Sequence, residues 1–451
     1  MSDARAPIRF PWQWVQLYRH LRSDPLGAFT RVARQHGDVA YGRLGRRSVV
    51  LLSHPRDVQE VLVLQQRLYQ KGPGAVFTGR ALGQGLLTSE NLMWRQARRR
   101  AQPAFHRQAV RELSSAIVGV TERHTALWRD GDERDIAEDM AHLAFRIATE
   151  ILFGTNGDAA TDVVRSEMAV AMRYANGRIS TVWNAPLWVP TPGSRRFHEA
   201  VRRLNDVVGG IVVERERSPG VHRDLLDLLL AGRGATPERG LRQVREDMLT
   251  FLLAGHETTA TTLAWVWHLL DQNPWTRDLL EQELAAKLQG VDPTPDDLAG
   301  LPWTRAVITE TLRLYPPVWV MARETRVPVV LGGREFPART LVLMSQWVVH
   351  RDPRWFEAPE QFRPQRWLDG TTDDLPTFAY FPFGGGPRLC IGKPLALTEL
   401  ALVVAWMAQR FRLHERAGAS VLPQPLITLK PGGSVPVRVE VRSSPGAVKA
   451  G

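Results

Sequence analysis

The sequence predicts a mainly α-helical protein with small β-sheets (α+β), folded as a single large domain over residues 1–451. Three observations predict this class. Helical patterning runs from about residue 92 to 321, interrupted only by Gly- and Pro-rich loops. Short strand-like runs lie before and after it. No Gly/Ser-rich or Pro-rich linker divides the chain, although its length exceeds the roughly 100–200 residues of a typical domain.

The first 70 residues mix helix and strand signals. Residues 25–35 have helical patterning. Residues 41–44 and 49–52 are strand-like runs on either side of Gly45, which predicts a β-hairpin.

The last third of the chain contains short strands and one further helix. Residues 327–331 and 340–344 are strand-like and lie between long irregular connections. A helix is predicted over 393–409, and residues 426–441 alternate as a strand does.

Residues 248–270 form the longest apolar stretch, with Glu257 as their one carboxylate. A helix formed by residues 248–270 would be long enough to cross a bilayer. However, the polar residues of 254–259 lie at the midpoint, where a bilayer opposes them most. Charged residues at 242–247 extend the same helical pattern. We therefore predict a long helix through the protein core.

Composition narrows the cellular setting and the partners. A net charge of +11 would suit nucleic acid, an anionic membrane or an acidic protein. No zinc-ligand spacing or RNA-binding signature accompanies it, so we expect no nucleic acid. The single cysteine permits no intramolecular disulfide, and the first 20 residues lack a signal peptide's apolar core. We expect a cytoplasmic monomer.

The strongest chemical signal is the run Phe-Gly-Gly-Gly-Pro-Arg-Leu-Cys-Ile-Gly at 383–392. Glycines let a backbone approach a flat ligand closely. Backbone N–H groups around Cys390 can stabilise a metal-binding thiolate, helped by the dipole of the helix that follows. Arg388 can pair with an anionic group of the same ligand. The alternative is a buried cysteine beside a glycine-rich turn.

This run resembles the haem-binding loop of the cytochrome P-450 family, Phe-x-x-Gly-x-Arg-x-Cys-x-Gly, with every fixed position filled. The resemblance implies haem b between a long central helix and the cysteine loop. It makes Cys390 the axial iron ligand, packs Phe383 near its sulfur, and pairs Arg388 with a haem propionate. A thiolate ligand favours cleavage of the O–O bond.

The sequence Ala-Gly-His-Glu-Thr-Thr at 254–259 resembles the family segment that crosses the distal haem face. By that resemblance, Ala254 and Gly255 leave room for dioxygen. The hydroxyl of Thr258 would hydrogen-bond to the bound dioxygen, and Glu257 would relay protons through water. The alternative is that the threonines bond to carbonyls within the helix.

Further matches concern the haem edge and the support of the loop. The resemblance assigns Trp94, Arg98 and Arg323 to the propionates, although Arg323 could instead be a surface arginine at a strand end. Glu310 and Arg313, which share a helix face, match the family's Glu-x-x-Arg pair, with Arg366 as the third member of a structural triad.

Basic residues near Trp94 suggest where electrons arrive. Arg95, Arg99 and Arg100, with Arg107 and Arg111, predict an exposed basic patch. The resemblance implies that the electron donor docks on the face of the protein that carries these arginines. A solvated charge run is the alternative.

The resemblance implies a monooxygenase that takes one oxygen atom from O2. No flavin- or nicotinamide-binding pattern follows the cysteine helix, so we expect electrons from NAD(P)H through a separate ferredoxin and ferredoxin reductase. A peroxide-driven peroxygenase or haem isomerase, and a non-enzymatic haem protein, are alternatives. The acid–threonine pair at 257–258 argues against the first two.

A bulky apolar substrate is predicted from the apolar segments 73–88, 172–197, 318–321 and 426–429. Residues 313–319 resemble family members that hydroxylate carotenoids and fatty acids; a terpenoid also fits. Trp183 and Trp188, followed by Arg195 and Arg196, suit weak peripheral contact with an anionic bilayer. Alternatively, both tryptophans line the pocket.

Overall fold

The computed structural model describes residues 23–44, 47–74, 83–154, 159–179, 189–217, 224–232 and 237–442. Helices dominate these ranges. They are α1 Pro25–His36, α2 Pro55–Gln59, α3 Asn91–Ala101, α4 Arg107–Thr125, α5 Ile136–Phe153, α6 Ala159–Ile179, α7 Pro192–Arg217, α8 Leu225–Ala231, α9 Pro237–Gln272, α10 Pro274–Leu288, α11 Pro302–Leu314, α12 Gln346–Val349 and α13 Lys393–Arg410.

The strands are short and form small sheets. They are β1 Val39–Leu44, β2 Arg47–Leu52, β3 Tyr69–Lys71, β4 Glu133–Asp135, β5 Met321–Thr325, β6 Val329–Leu331, β7 Arg334–Phe336, β8 Leu341–Met344, β9 Phe411–Glu415, β10 Pro423–Pro425, β11 Leu429–Pro431 and β12 Pro436–Val441. One sheet has the order β1-β2-β8-β5-β3, another β4-β12-β9, and two hairpins pair β6 with β7 and β10 with β11.

Helix α9 forms the centre of the molecule. It packs along α5 and α7, and it separates two large apolar clusters. Met248, Leu249 and Leu252 are buried in one cluster and Leu263 and Val266 in the other. The predicted long core helix is therefore confirmed. None of the helices in the described ranges is long and apolar enough to cross a membrane.

The cysteine helix α13 is apolar on nearly every side because it lies between other helices. Leu402, Val403, Val404 and Met407 are fully buried against α4, α10 and α11. Pro394 stands in the first turn, where its missing N–H costs nothing. This packing gives the cysteine loop a rigid support at its C-terminal end.

The N-terminal helix, the β1–β2 pairing and the helix at 393–409 are as predicted. Two predictions were wrong in detail. Residues 426–441 do not form one strand: Gly433 has a φ of +95° and ends β11, so that β12 joins a different sheet. The helical stretch 92–321 contains the short strand β4, which pairs with β12 from the other end of the chain.

Candidate active site

The cysteine loop is held in place by contacts that leave no room for side chains at its glycines. A Cβ on Gly386, which has a φ of +65°, would lie 2.1 Å from the carbonyl oxygen of Leu62. A Cβ on Gly385 would lie 2.3 Å from the ring of Phe378. Leu62 belongs to a π-helical turn at Glu60–Leu64, so this turn and Phe378 clamp the loop. These glycines are required by packing as well as by any ligand.

Cys390 is fixed by backbone hydrogen bonds just before α13 begins. Its N–H donates to the carbonyl oxygen of Phe383 at 3.0 Å, which closes the loop. Burial raises the pKa of the Cys390 thiol, while the N–H groups of Gly392 and Lys393 and the charge of Arg98 act in the opposite direction. A bound metal ion would remove the thiol proton outright. The donors around the sulfur therefore suit a thiolate ligand.

Cys390 nevertheless has accessible surface. Part of the space next to Cys390 is therefore not filled by any described residue. Phe105 lies beside this space: a Cβ on Gly392 would be 3.9 Å from both the ring of Phe105 and the Cys390 sulfur. The ring of Phe105 in turn contacts Phe251 of α9, with centroids 5.5 Å apart.

Ala254 and Gly255 follow Phe251 by about one helical turn. Both are exposed, although residues 251–253 and 259–265 of the same helix are buried. Apart from its chain neighbours and the backbone of its own helix, no atom of the described residues lies within 4 Å of the position that a Cβ on Gly255 would take. The middle of the core helix is therefore exposed at these two residues among the described parts of the chain. That they leave room for dioxygen stays a prediction.

Arg98 and Trp94 lie on α3 and contact the cysteine loop. Arg98 Nη1 donates to the carbonyl oxygen of Leu389 at 2.8 Å. The guanidinium of Arg388 stacks over the Trp94 ring, 4.4 Å from its centroid. Arg388 Nη2 pairs with Glu90 at 2.6 Å, while its Nη1 is buried with no hydrogen-bond partner among the described residues.

Arg323 and Lys71 extend this positive cluster. Arg323 lies in the middle of β5, opposite Lys71 of β3, so the alternative of a strand end does not hold. Burial, and then the charge of Arg388, lower the pKa of Arg323 to about 10. Burial and the same charge lower the pKa of Lys71 to about 7, although Glu90 opposes this.

The haem that the family implies fits these residues. Half-buried cations that outnumber the carboxylates around them are destabilising without further anionic partners. The two propionates of a haem would be such partners. The unpartnered Arg388 Nη1 offers a donor for such a group. Cys390 has accessible surface, and a Cβ on Gly255 of α9 would meet no described atom outside its own helix within 4 Å.

Lys71 and Glu90 were missed by sequence reasoning. Lys71 Nζ donates to the carbonyl oxygens of Ser89 and Leu86 at 2.8 and 3.1 Å. Glu90 accepts from the backbone N–H of Lys71 at 2.9 Å. The one available signal was the position of Glu90 directly before α3. The pairing of β3 with β5, which brings Lys71 to Arg323, leaves no local trace in the sequence.

Glu257 and Thr258 lie on adjacent sides of α9. Thr258 Oγ1 donates to the carbonyl oxygen of Ala254 at 2.7 Å, so the intrahelical bond of the alternative interpretation is present. A hydroxyl that donates in this way can still accept. Glu257 Oε1 accepts from Thr428 Oγ1 at 3.0 Å and lies 3.6 Å from Lys430 Nζ.

The triad lies where the resemblance placed it. Glu310 receives both ends of the Arg313 guanidinium at 2.8 Å, Arg366 Nε at 3.1 Å and Trp367 Nε1 at 2.8 Å. Arg313 also donates to the carbonyl oxygen of His350, whose ring accepts from the N–H of Phe381. The triad is thereby connected to the start of the cysteine loop.

The basic patch is smaller than predicted. Arg95, Arg99 and Arg107 are exposed, but Arg100 is half-buried and pairs with the buried Asp247 at 3.3 Å. Arg111 pairs with Asp296. Arg100 was wrongly assigned because only tertiary structure reveals its partner on α9.

Two sequence predictions lie outside the described residues. Trp183 and Trp188 fall in 180–188, and much of the predicted pocket segment 73–88 falls in 75–82. Arg195 and Arg196, which follow the tryptophans, are exposed at the start of α7.

A cysteine in a glycine-clamped loop, a cluster of half-buried cations and an exposed Ala-Gly pair in the central helix are the features of a haem-thiolate protein. The family model described as Cytochrome P450 matches residues 5–434, and the chain belongs to this family. The chain is 40% identical to cyclooctat-9-en-7-ol 5-monooxygenase of Streptomyces melanosporofaciens, over 86% of this chain and 84% of that protein. It is 32% identical to pentalenene oxygenase of Streptomyces avermitilis, over 93% and 92% respectively.

Solved structures agree with the fold. The heme domain of cytochrome P450DA is similar with a TM-score of 0.87 and 26% identity, covering 98% of this chain and 99% of that chain. The family and its named oxygenases identify the protein as an enzyme, a P450 monooxygenase that carries haem. The mainly helical fold with small sheets is the one predicted.

Proposed function

We propose that this protein is a haem-thiolate monooxygenase that hydroxylates a cyclic terpenoid, with Cys390 as the iron ligand. One observation carries the assignment of the ligand: Cys390 has accessible surface while the backbone N–H groups of Gly392 and Lys393 favour its thiolate form. In the overall reaction, a substrate C–H group, O2, two electrons and two protons are converted into an alcohol and one water molecule.

Each site residue has a role in this proposal. Trp94, Arg98, Arg323 and Arg388 hold the propionates, and Lys71 joins them through the same cluster. Phe383 packs at the sulfur side and closes the loop through its carbonyl oxygen. When bound, the haem supplies the chemistry that activates O2.

Ala254 and Gly255 leave the space in which O2 and substrate meet. Thr258 and Glu257 take part in proton transfer in this space. The hydroxyl of Thr258 donates to the carbonyl oxygen of Ala254, and this bond fixes its orientation. Its oxygen can then accept a hydrogen bond in the space beside Ala254 and Gly255. Glu257 is the carboxyl group that exchanges protons with water.

The substrate class rests on the relatives' names and on the apolar segments. Cyclooctat-9-en-7-ol and pentalenene, which the relatives' names specify, are terpenoids. Trp319 Nε1 donates a hydrogen bond to the carbonyl oxygen of Leu426 at 3.0 Å. This bond joins Trp319 to the 426–429 segment, and both are predicted to line the pocket. These relatives favour a terpenoid over a fatty acid.

Electrons come from NAD(P)H through a separate ferredoxin and ferredoxin reductase, and the basic patch at Arg95, Arg99 and Arg107 receives the ferredoxin. Residues 1–451 form a single domain, and the protein acts as a monomer in the cytoplasm.

The test compares substrates and oxidants on the purified protein. Pentalenene and a cyclic diterpene alcohol should shift the haem spin state, whereas a saturated C16 fatty acid should not. With surrogate ferredoxin, reductase and NADPH, the product should contain one atom from ¹⁸O2. A spin shift with the fatty acid alone would overturn the substrate class. Product formation with peroxide and none with NADPH would favour the peroxygenase.

A test of Thr258 uses Thr258→Ala with Thr262→Ala as its control. Thr262 also donates within α9, to the carbonyl oxygen of Thr258 at 2.9 Å. Thr258→Ala should keep haem and the spin shift but divert electrons from product to peroxide or water. Unchanged product per NADPH would remove Thr258 from the mechanism.

A further inference from the structure

Glu257 is tied to a hairpin from the far end of the chain. Its Oε1 accepts from Thr428 Oγ1 at 3.0 Å and lies 3.6 Å from Lys430 Nζ. Thr428 is buried, at 4% exposure. The carboxylate side chain is 13% exposed and that of Lys430 is 39% exposed. A hydrogen bond from a buried hydroxyl fixes the carboxylate more firmly than an exposed ion pair alone could.

The segment that carries Thr428 is itself fixed on several sides. Trp265 Nε1 of α9 donates to the carbonyl oxygen of Leu429 at 2.9 Å, and the N–H of Leu429 donates to the carbonyl oxygen of Pro317 at 2.9 Å. The N–H of Ile427 donates to Asn176 Oδ1 of α6 at 2.9 Å. Residues 426–429 therefore connect α6, α9 and the 317–319 segment.

Two segments that the sequence predicted to line the substrate pocket meet here, because Asn176 belongs to 172–197 and Ile427 to 426–429. Pro317 lies directly before the third such segment, 318–321. Thr428 belongs to the last of them and also holds the acid. A substrate that presses on this segment would therefore act on Glu257 through one hydrogen bond.

We propose that Thr428 and Lys430 are positioning residues for Glu257, which hold its carboxylate in one place so that proton delivery depends on the substrate-lining segment 426–429. This inference rests on the proposed function, because it assigns Glu257 to proton delivery. Neither residue touches the reacting atoms. Their effect passes through the Glu257 carboxylate.

The chain offers a matched control on the same hairpin. Gln424 lies directly opposite Lys430 in the β10–β11 pair and is exposed. Gln424→Met removes a polar group of similar length from the same hairpin without removing a partner of Glu257. Lys430→Met and Thr428→Val each remove one partner and keep the side-chain shape.

The experiment measures product per NADPH and the solvent deuterium isotope effect on kcat, with pentalenene as the probe. Lys430→Met and Thr428→Val should each lower product per NADPH, by up to roughly tenfold if the acid is misplaced. The isotope effect should increase, while KM, the spin shift and thermal stability should stay near wild type. Lys430→Arg should restore coupling, and Gln424→Met should match wild type.

A double-mutant cycle separates this inference from the proposed function. Glu257→Gln should give the same defect, and adding Lys430→Met to it should cause no further loss, because both act through one carboxylate. If Glu257→Gln is defective while Lys430→Met and Thr428→Val are normal, the positioning role is wrong and the proposed function stands. If Glu257→Gln is itself normal, the role of Glu257 fails. Additive defects would also overturn the positioning role.

Discussion

Arg98 reaches from α3 to the cysteine loop and donates through Nη1 to the carbonyl oxygen of Leu389, 2.8 Å away and one residue before Cys390. The charge of Arg98 also favours the thiolate form of Cys390. One side chain thus connects the helix that carries Trp94 to the backbone next to the sulfur. Arg99, its neighbour on α3, is exposed and serves as the matched control.

Arg98→Leu should accelerate haem loss. The variant removes a charge-assisted hydrogen bond, typically about 1.5–3 kcal/mol, which corresponds to roughly 10–100-fold faster dissociation. Haem transfer to an excess of apomyoglobin measures the rate. Arg99→Leu should lose haem at the wild-type rate. Equal rates for wild type and Arg98→Leu would show that Arg98 has no part in holding the cofactor.

Cys390→Ala should lose the red-shifted band of the reduced carbon monoxide complex, together with activity. The band depends on thiolate ligation, and Cys390 is the only cysteine of the chain. Cys390→His tests the same point with a nitrogen ligand, which should give a histidine-type spectrum. A thiolate-type spectrum from Cys390→His would disprove the assignment.

The sequence predicted the features that local residues determine. The cysteine loop and the Glu310–Arg313 pair follow from short motifs, because the residues that form each of them lie close together along the chain. That Ala254 and Gly255 leave room for dioxygen also comes from a short motif and stays a prediction. The resemblance to one family then supplied their order along the chain.

Long-range contacts could not be predicted. Lys71 meets Arg323 through a strand pair separated by about 250 residues, and Arg100 is half-buried because Asp247 lies on α9. The bond from Thr428 to Glu257 spans 171 positions. Such pairs depend on how distant elements pack, which neither propensity nor periodicity encodes.

The revised basic patch predicts which arginines serve electron transfer. Arg95→Glu and Arg99→Glu together should increase the KM for ferredoxin and weaken its dependence on salt, because exposed charges act through screened attraction. Peroxide-supported turnover should stay unchanged. Stopped-flow reduction of the haem by ferredoxin over a salt series measures both effects.

Arg100→Glu should behave differently from these two variants. It would place a carboxylate beside the buried Asp247, so its main defect should be lower thermal stability. Normal ferredoxin kinetics in the Arg95→Glu/Arg99→Glu variant would show that the patch is only a solvated surface.

We expect Glu399 to make the stability of the fold depend on pH. It lies in α13, is 6% exposed, and its Oε1 has no hydrogen-bond partner among the described residues. Burial raises the pKa of Glu399 to about 8 from an ordinary value of 4.5. Because the folded-state pKa is the higher one, this group's contribution is fully present below pH 4.5 and is lost as pH rises through about 8.

Glu399→Gln should remove this dependence, since an amide of the same shape cannot ionise. Relative to wild type, the variant should gain stability from pH 6 to pH 8.5, by at most about 5 kcal/mol. Guanidinium midpoints at several pH values measure the gain. The exposed Glu138→Gln on α5 is the control and should follow wild type. A parallel pH profile for Glu399→Gln would show that Glu399 ionises normally.

The segment before α7 predicts how a terpenoid reaches the pocket. Arg195 and Arg196 are exposed on a surface groove of about 830 Å³ that Pro190 and Pro192 also line. Cations in that position suit lipid headgroups, with Trp183 and Trp188 as the interfacial aromatic residues. An apolar substrate could then leave the bilayer without crossing water.

Co-sedimentation with vesicles distinguishes membrane contact from pocket lining. Membrane contact predicts weak binding to anionic phosphatidylglycerol vesicles, which falls in Trp188→Ser and in Arg195→Ser/Arg196→Ser and is absent with neutral phosphatidylcholine. Arg202→Ser, further along α7, controls for net charge. If the tryptophans line the pocket instead, no variant changes sedimentation, and Trp188→Ser alters which terpenoids shift the spin state.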